Sequence, residues 1–219
     1  MKAMILAAGR GERMRPLTDH TPKPLLKVGA STLLEHHIIR LRDAGYTDLV
    51  INTHHLADRI HDAVGDGSHH GVAIRYSDER PDILETGGGI LRALPWLGAG
   101  PFLVVNGDVW SEHPLAPPAF GTRTLAHLVL VENPAHHPHG DFALIDGHVS
   151  AEAESRLTFS GIGWYHPELF AGCAPGRFPL APLLRVAMSN GQVTGEPHRG
   201  FWLDVGTPER LRVLRARLN

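Results

Sequence analysis

Glycines and cationic side chains alternate in a short stretch near the start of the chain. This stretch reads A-G-R-G-E-R-M-R and includes Gly9, Gly11 and Arg13. Glycine lets a backbone approach a ligand closely, and exposed backbone N–H groups beside fixed cations suit a polyphosphate. Lys23 follows between two prolines, which stiffen the backbone that carries its ammonium group. The stretch therefore predicts a phosphate-binding loop.

Other phosphate-binding motifs do not match this loop. A dinucleotide fingerprint requires a third glycine where Met14 stands, and a P-loop requires a Gly-Lys-Ser/Thr sequence that does not follow. A basic strand-to-helix turn without a ligand remains as the alternative. A lysine between two prolines is not typical of a solvated surface lysine, which favours the phosphate-binding interpretation.

Two aspartates lie in settings that suit a cation. Asp108 ends the apolar run V-V-N-G-D, and Asp204 lies in F-W-L-D-V-G. A turn aspartate often caps its own backbone, so Asp108 alone leaves both interpretations open. The apolar neighbours of Asp204 predict a buried carboxylate, which needs a lysine, an arginine or a metal as its partner. Two carboxylates together with substrate phosphates would form a reasonable Mg²⁺ site.

The 16 histidines invite a different metal hypothesis, because several stand in adjacent pairs. Their spacings match no zinc-ligand pattern, and neighbouring side chains on a helix or strand point in different directions. We therefore expect surface and loop histidines rather than a zinc site.

The composition limits the classes of function. The chain has 219 residues, of which 42% are hydrophobic and 20% charged, with a formal net charge of -2. This balance predicts a substantial core and gives no reason to expect binding to nucleic acid. The only cysteine, Cys173, cannot form an intrachain disulfide. With no apolar leader or membrane-spanning run, we expect a cytoplasmic protein without a membrane partner.

Short apolar runs alternate with helical patterns through the first half of the chain. The predicted strands are Met4–Ala8, Tyr46–Asn52, Val72–Ser77 and Pro101–Val105. The predicted helices run from an N-cap at Ser31 to near Gly45, over Ala57–Val64 and over Gly87–Trp96. Such alternation predicts a Rossmann-like α/β fold, with a mostly parallel sheet and helices on both faces. Ligands collect at the carboxyl ends of such strands, where the phosphate loop, residues 79–89 and residues 106–108 should meet.

The second half has more proline and a less regular rhythm. Its predicted strands are Leu125–Val131, a hairpin of 142–146 with 148–150, Leu157–Tyr165 and Val193–Val205. Its predicted helices are Leu180–Ser189 and Pro208–Leu218. No internal repeat or linker interrupts the chain, so a single domain is expected.

The run L-A-A-G-R-G-E-R-M-R-P-L-T…T-P-K-P-L-L resembles the signature of the sugar-phosphate nucleotidyltransferases, and the resemblance extends to W-L-D-V-G-T-P-E-R-L. It implies a nucleotide-binding half at about 1–113 and a sugar-phosphate-binding half at about 114–219. It also implies that Asp108 and Asp204 hold Mg²⁺, and that Arg13 and Lys23 are catalytic. The nucleotide-binding residues that it implies are Ala8, Gly9, Gly11, Glu12, Arg13, Lys23, Glu79, Thr86 and Gly87.

The expected sugar-binding residues are Asn106, Gly140, Asp141 and Glu154. Many relatives carry a Glu-Lys pair that holds the sugar, whereas this chain reads A-E-A-E-S-R, with Arg156 as a possible substitute for the lysine. The loss of one contact suits a sugar with a bulky or acidic substituent. A preference for plain glucose or mannose would contradict this hypothesis.

The resemblance implies UTP and a sugar 1-phosphate as substrates, with N-acetylmuramate α-1-phosphate as the expected sugar in peptidoglycan recycling. The alternatives are guanylyl transfer to mannose-1-phosphate and uridylyl or thymidylyl transfer to glucose-1-phosphate. A regulatory sugar-nucleotide-binding protein is the non-enzyme alternative. The presence of Arg13, Lys23, Asp108 and Asp204 favours an active enzyme, for which we expect a monomer or a small homo-oligomer.

Overall fold

The computed structural model describes residues 1–218, which form thirteen strands and five α-helices. In chain order these are β1 (Ala3–Leu6), β2 (Lys27–Val28), β3 (Ser31–Thr32), α1 (Leu33–Asp43), β4 (Asp48–Thr53), α2 (Ala57–Val64), β5 (Ala73–Asp78), α3 (Glu85–Leu97), β6 (Phe102–Asn106), β7 (Val109–Ser111), β8 (Ala126–Val131), β9 (Ala143–Ile145), β10 (His148–Ser150), β11 (Thr158–Tyr165), α4 (Ala181–Ser189), β12 (Val193–Pro197), β13 (Trp202–Asp204) and α5 (Pro208–Leu218).

Nine of the strands form one central sheet, in the order β5-β4-β1-β6-β11-β8-β12-β10-β9. Seven of these nine run in the same direction, and only β11 and β10 are antiparallel to the others. The single α/β domain with a mostly parallel sheet is therefore confirmed. The reversal at β11 joins the two halves of the chain, because β11 pairs with β6 of the first half and β8 of the second.

Helices cover both faces of the sheet, because side chains of each central strand point alternately to opposite sides. Met4 packs in one buried cluster with residues of α3 and α4. Its neighbour Ile5 packs in another with residues of α1 and α2. Both side chains are fully buried, so β1 reads as a continuous apolar run, as expected of a strand covered on both faces.

Helix α1 begins one residue later than predicted. Its N-cap is Thr32, whose Oγ1 accepts the Glu35 backbone N–H at 3.1 Å, while the Glu35 carboxylate accepts the Thr32 N–H at 2.6 Å. This reciprocal pair is a capping box. The prediction of Ser31 as the N-cap is wrong because Glu35, which completes the capping box, stands three residues after Thr32 and four after Ser31.

The predicted strand Val193–Val205 is wrong as one element. Its first part, β12, pairs with β8 in the central sheet and ends at Pro197, whose nitrogen carries no hydrogen. Its last part, β13, pairs with β7 in a separate two-stranded sheet. This second pairing sets Asp204 opposite Val109, and so beside the residue that follows Asp108.

A third buried cluster supports the phosphate loop. Met14, in the loop, is fully buried against Val205 and against Leu211 and Leu214 of α5. The last helix therefore packs beneath the first loop of the chain. None of the helices within residues 1–218 is long and apolar enough to cross a bilayer.

Candidate active site

A cavity of about 550 Å³ lies at the carboxyl ends of β1, β4, β5 and β6. It is the place where ligands bind in open α/β sheets. Ten of the predicted site residues line it: Ala8, Gly9, Gly11, Glu12, Arg13, Lys23, Glu79, Thr86, Asn106 and Asp108. The three predicted segments thus meet at one edge of the sheet.

Thr18 fixes the phosphate loop at Gly11, whereas residues 1–218 leave the space beside Gly9 empty. Gly11 has a positive φ of 64°, and an added Cβ there would lie 3.0 Å from Thr18 Cγ2. The Thr18 hydroxyl donates to the Gly11 carbonyl at 2.8 Å, which fixes this turn. A Cβ on Gly9 would meet no atom of the described residues within 4 Å. The space over Gly9 therefore leaves the backbone accessible to a ligand.

The cationic side chains of this region differ in their burial and in their ion-pair partners. Arg15 pairs with Asp19 at 3.2 Å, whereas Arg13 is exposed and forms no ion pair within residues 1–218. The Lys23 side chain is largely buried, and its Nζ lies 2.6 Å from Asp108 Oδ2. Burial opposes ionisation of Asp108, but the adjacent Lys23 ammonium outweighs it and holds the pKa of this carboxyl below its ordinary value.

Asp204 lies in a second cavity of about 340 Å³, which shares Arg13, Asn106 and Asp108 with the first. Its carboxylate is partly buried rather than fully buried, with Arg210 Nη2 2.8 Å from Oδ2 and His136 Nε2 3.0 Å from Oδ1. The guanidinium of Arg210 is therefore the protein partner of Asp204, where the sequence had left a lysine, an arginine or a metal as alternatives. The two cavities meet at a wall that carries Arg13 and Asp108.

The carboxylate oxygens of Asp108 and Asp204 are suitable ligands for a hard divalent cation, but two carboxylates do not complete its coordination. Asp204 Oδ1 is buried and, although His136 Nε2 lies 3.0 Å away, it has no hydrogen bond of good geometry to residues 1–218. In the described part of the chain, no three histidine, cysteine or acidic side chains form a group that could hold a metal. A cation here would therefore need oxygens from bound phosphates, as Mg²⁺ commonly uses.

The three predicted nucleotide-binding residues after β5, namely Glu79, Thr86 and Gly87, differ in their access to the first cavity. Thr86 lines the first cavity at the start of α3. Gly87 does not line it; an added Cβ there would lie 2.5 Å from the Phe178 ring, so this glycine lets another segment pack closely. Glu79 lines the cavity wall but is 1% exposed, and protein groups contact both of its carboxylate oxygens.

Three of the four predicted sugar-binding residues lie outside both cavities. Gly140 packs against Leu157, Glu154 is exposed, and Asp141 stands behind the second cavity. Asp141 Oδ2 accepts the Phe159 N–H at 2.8 Å, and its Oδ1 lies 3.1 Å from His137 Nε2.

Arg156 does not face a sugar either, because its guanidinium donates to two nearby backbone carbonyls. Only Asn106 of the predicted set faces the second cavity directly.

Sequence reasoning missed two features of the site. Asn52, at the carboxyl end of β4, lines the first cavity and is 3% exposed. The rule that drew attention to residues 106–108 also applies to the end of β4, and could have found it. His136 and His137 line the second cavity, whereas we expected ordinary loop histidines, because no local pattern shows that their loop folds over Asp204.

Comparison with known proteins identifies the relatives of the chain. Residues 2–145 match the family model described as nucleotidyl transferase. The chain is 54% identical to the N-acetylmuramate alpha-1-phosphate uridylyltransferase of Neisseria meningitidis serogroup B over 99% of its own length and 97% of the relative's. The protein of the same name from Caulobacter vibrioides is 37% identical, over 99% and 96%.

The fold has solved counterparts. The structure of HddC from Yersinia pseudotuberculosis complexed with GMP-PN aligns with a TM-score of 0.80, over 100% of this chain and 99% of that one. At 21% identity this likeness shows the fold alone. The family match covers the phosphate loop and the Asp108 turn, and together with the near full-length relatives it shows that the chain belongs to the nucleotidyl transferase family.

Proposed function

We propose that this protein transfers a uridylyl group from UTP to N-acetylmuramate α-1-phosphate, giving the UDP-sugar and pyrophosphate. One observation carries the reaction class: the two cavities share Arg13, Asn106 and Asp108. A nucleotide in the first and a sugar phosphate in the second would bring their phosphates together at this shared wall. The identity with two uridylyltransferases supports the choice of substrates.

Charge decides the mechanism. An oxygen of the sugar 1-phosphate attacks the α-phosphorus of UTP, and the bond to the β-phosphate oxygen breaks to release pyrophosphate. Both partners are anions, so the site must offset their repulsion. Lys23 would neutralise the α-phosphate and the charge that develops on it, because a fixed cation stabilises such a transition state without reorganisation. Arg13 would hold the departing phosphates through paired N–H groups.

The nucleophile needs no activation by a general base, because the phosphate oxygen is already ionised. The site must therefore position and neutralise rather than transfer protons, as in other phosphoryl-transfer enzymes. We propose that Asp108 and Asp204 hold Mg²⁺ together with the substrate phosphates. When bound, the ion would supply charge neutralisation between the two reacting phosphates.

The second cavity favours an acidic sugar. His136 and His137 both line it, and a protonated imidazole can donate one N–H to its neighbouring aspartate and the other to a carboxylate of the ligand. His137 is oriented by Asp141, which also holds the backbone at Phe159. We propose that these histidines contact the lactyl carboxylate of N-acetylmuramate. Asp141 then contributes to sugar binding through His137 rather than by direct contact.

The division of labour between the two halves is part of the same proposal. Residues 1–113 would bind the nucleotide, and the later residues would supply most contacts to the sugar phosphate. The expected setting is peptidoglycan recycling in the cytoplasm, by a monomer or a small homo-oligomer.

The test is a substrate grid with pyrophosphate release as the readout. UTP, GTP, CTP and dTTP are each combined, in the presence of Mg²⁺, with the 1-phosphates of N-acetylmuramate, N-acetylglucosamine, glucose and mannose. We expect the highest kcat/KM for UTP with N-acetylmuramate α-1-phosphate. A preference for GTP with mannose-1-phosphate would keep the reaction and reject the substrates. No release with any pair would favour a regulatory binding protein.

A further inference from the structure

A continuous chain of hydrogen bonds, buried at Asn52 and partly buried at Leu84, runs along the floor of the first cavity. The Ala7 backbone N–H donates to Asn52 Oδ1 at 2.7 Å, and Asn52 Nδ2 donates to Glu79 Oε1 at 2.7 Å. The Leu84 backbone N–H donates to Glu79 Oε2 at 3.0 Å. The side chains of Asn52 and Glu79 thus link the carboxyl ends of β1, β4 and β5 to Leu84.

The direction of each bond in this chain is set by its ends. Ala7 N–H can only donate, so the amide oxygen of Asn52 must face it and the amide nitrogen must face Glu79. Leu84 N–H also can only donate, so the facing atom of residue 79 must accept. Gly89 makes room for the pair, because a Cβ there would lie 2.6 Å from Glu79 Oε1.

The two ends of the chain belong to different parts of the nucleotide site. Ala7 immediately precedes the phosphate loop, and Leu84 immediately precedes the cavity-lining residues Glu85 and Thr86 at the start of α3. Both Asn52 and Glu79 are almost fully buried, so water does not compete with these bonds. A shift at either loop would therefore strain the other.

We propose that Asn52 and Glu79 are a positioning pair. They fix the distance between the phosphate loop and the segment Leu84–Thr86, where the base would bind, at the value that a nucleoside triphosphate requires. This inference rests on the proposed function insofar as the ligand is a nucleotide. It assigns Glu79 to positioning through its neighbours rather than to direct reading of the base. Loss of the pair should weaken nucleotide binding and leave the sugar-phosphate site unchanged.

Reversal of the hydrogen-bond polarity provides a sharp test. In Asn52→Asp two carboxylates face each other, and in Glu79→Gln the new amide must oppose a donor either at Asn52 or at Leu84. In the double variant the glutamine amide introduced at position 79 donates to the carboxylate introduced at position 52. The glutamine oxygen still accepts from Leu84, so the bond between the two side chains is restored in reverse. The double variant also keeps the charge of the wild type.

We expect each single variant to raise the Kd and KM for UTP about tenfold or more, since the broken contact leaves a buried polar group unpaired. The KM for the sugar phosphate should stay within about twofold, and the double variant should return the UTP constants to within about threefold of wild type.

The matched control is Ser77→Ala in the neighbouring strand β5. It removes a fully buried hydroxyl that has no hydrogen-bond partner among residues 1–218. It should leave all constants unchanged. Each variant is assayed at a temperature below the midpoint of its own thermal unfolding. If Asn52→Asp does not fold, Asn52→Ala replaces it as the single variant.

The UTP constants are measured twice, by calorimetric titration without sugar and by pyrophosphate release. Equal effects on both substrates, or a folded double variant that does not recover, would overturn the positioning role while the wild type still binds UTP. A wild type that binds no nucleoside triphosphate at all would overturn the proposed function and this inference together.

Discussion

Replacement of Lys23 by methionine tests the role of the buried cation most directly. Methionine keeps most of the apolar stem of the lysine side chain and removes the charged ammonium group. The Lys23 side chain is 12% exposed and its ammonium lies 2.6 Å from Asp108, so the charge that is removed has a fixed position in the site. We expect the variant to fold and its kcat to fall.

The size of the effect follows from the role of the charge. Loss of one positioned donor to a developing anionic charge typically lowers kcat by about 10²–10³-fold, or about 3–4 kcal/mol of transition-state stabilisation. Stability should change less, by about 1–2 kcal/mol, because the Asp108 carboxylate left behind is 35% exposed and water can reach it. The kinetic loss should therefore exceed the loss of folding free energy.

The assay is pyrophosphate release under single-turnover conditions, alongside urea unfolding of the same preparations. Lys27→Ala is the matched control, because Lys27 is an exposed lysine of β2 that does not line either cavity. If Lys23→Met retains kcat/KM within about threefold of this control, the assignment of Lys23 to the transition state is refuted.

Three further predictions concern stability, turnover and pH dependence. Tyr46→Phe should cost about 2–4 kcal/mol in urea unfolding, because it leaves the Trp164 indole N–H and a buried carbonyl unpaired; a loss below about 1 kcal/mol would count against this. Gly107→Ala should lower both stability, by about 1–3 kcal/mol, and turnover, because its Cβ would lie 2.6 Å from the Leu6 carbonyl oxygen; normal values of both would be inconsistent with the tight approach. Burial, aided by a nearby arginine, lowers the pKa of His37 to about 4, so His37 should remain neutral in the folded state and contribute stability that is complete above about pH 6.5 and lost towards pH 4. Metal-free urea unfolding at about pH 7 and pH 4.5 should show His37→Gln losing about 2 kcal/mol less than wild type over this interval, and equal losses would contradict the assignment.

Elements with strong local signals could be predicted from the sequence. The bounds of α2 and α5 agree with the predicted Ala57–Val64 and Pro208–Leu218, because their apolar periodicity and flanking residues are sufficient by themselves. The predicted hairpin at 142–150 also forms, around a turn at Asp146 and Gly147, where both residues have positive φ. Each of these signals lies within a few residues of the structure that it specifies.

Features set by distant pairing could not be predicted. Whether residues 193–205 form one strand or two depends on β7 and β8, which lie far away in the sequence. The role of Gly87 depends on Phe178 in the same way. The glycines and cations of the phosphate loop stand in one short run and can be recognised from the sequence, whereas the second cavity is assembled from several separated segments.

The packing of α5 beneath the phosphate loop has a consequence for synthesis of the protein. Residues 8–15, which we propose bind phosphate, leave the ribosome long before Leu211 and Leu214, and Met14 is covered only after these two have been made. Asp204 reaches its place opposite Val109 equally late. A nascent chain therefore carries an exposed apolar patch through most of translation, and contacts of such long sequence separation form slowly. The binding site becomes complete only in the last steps of folding.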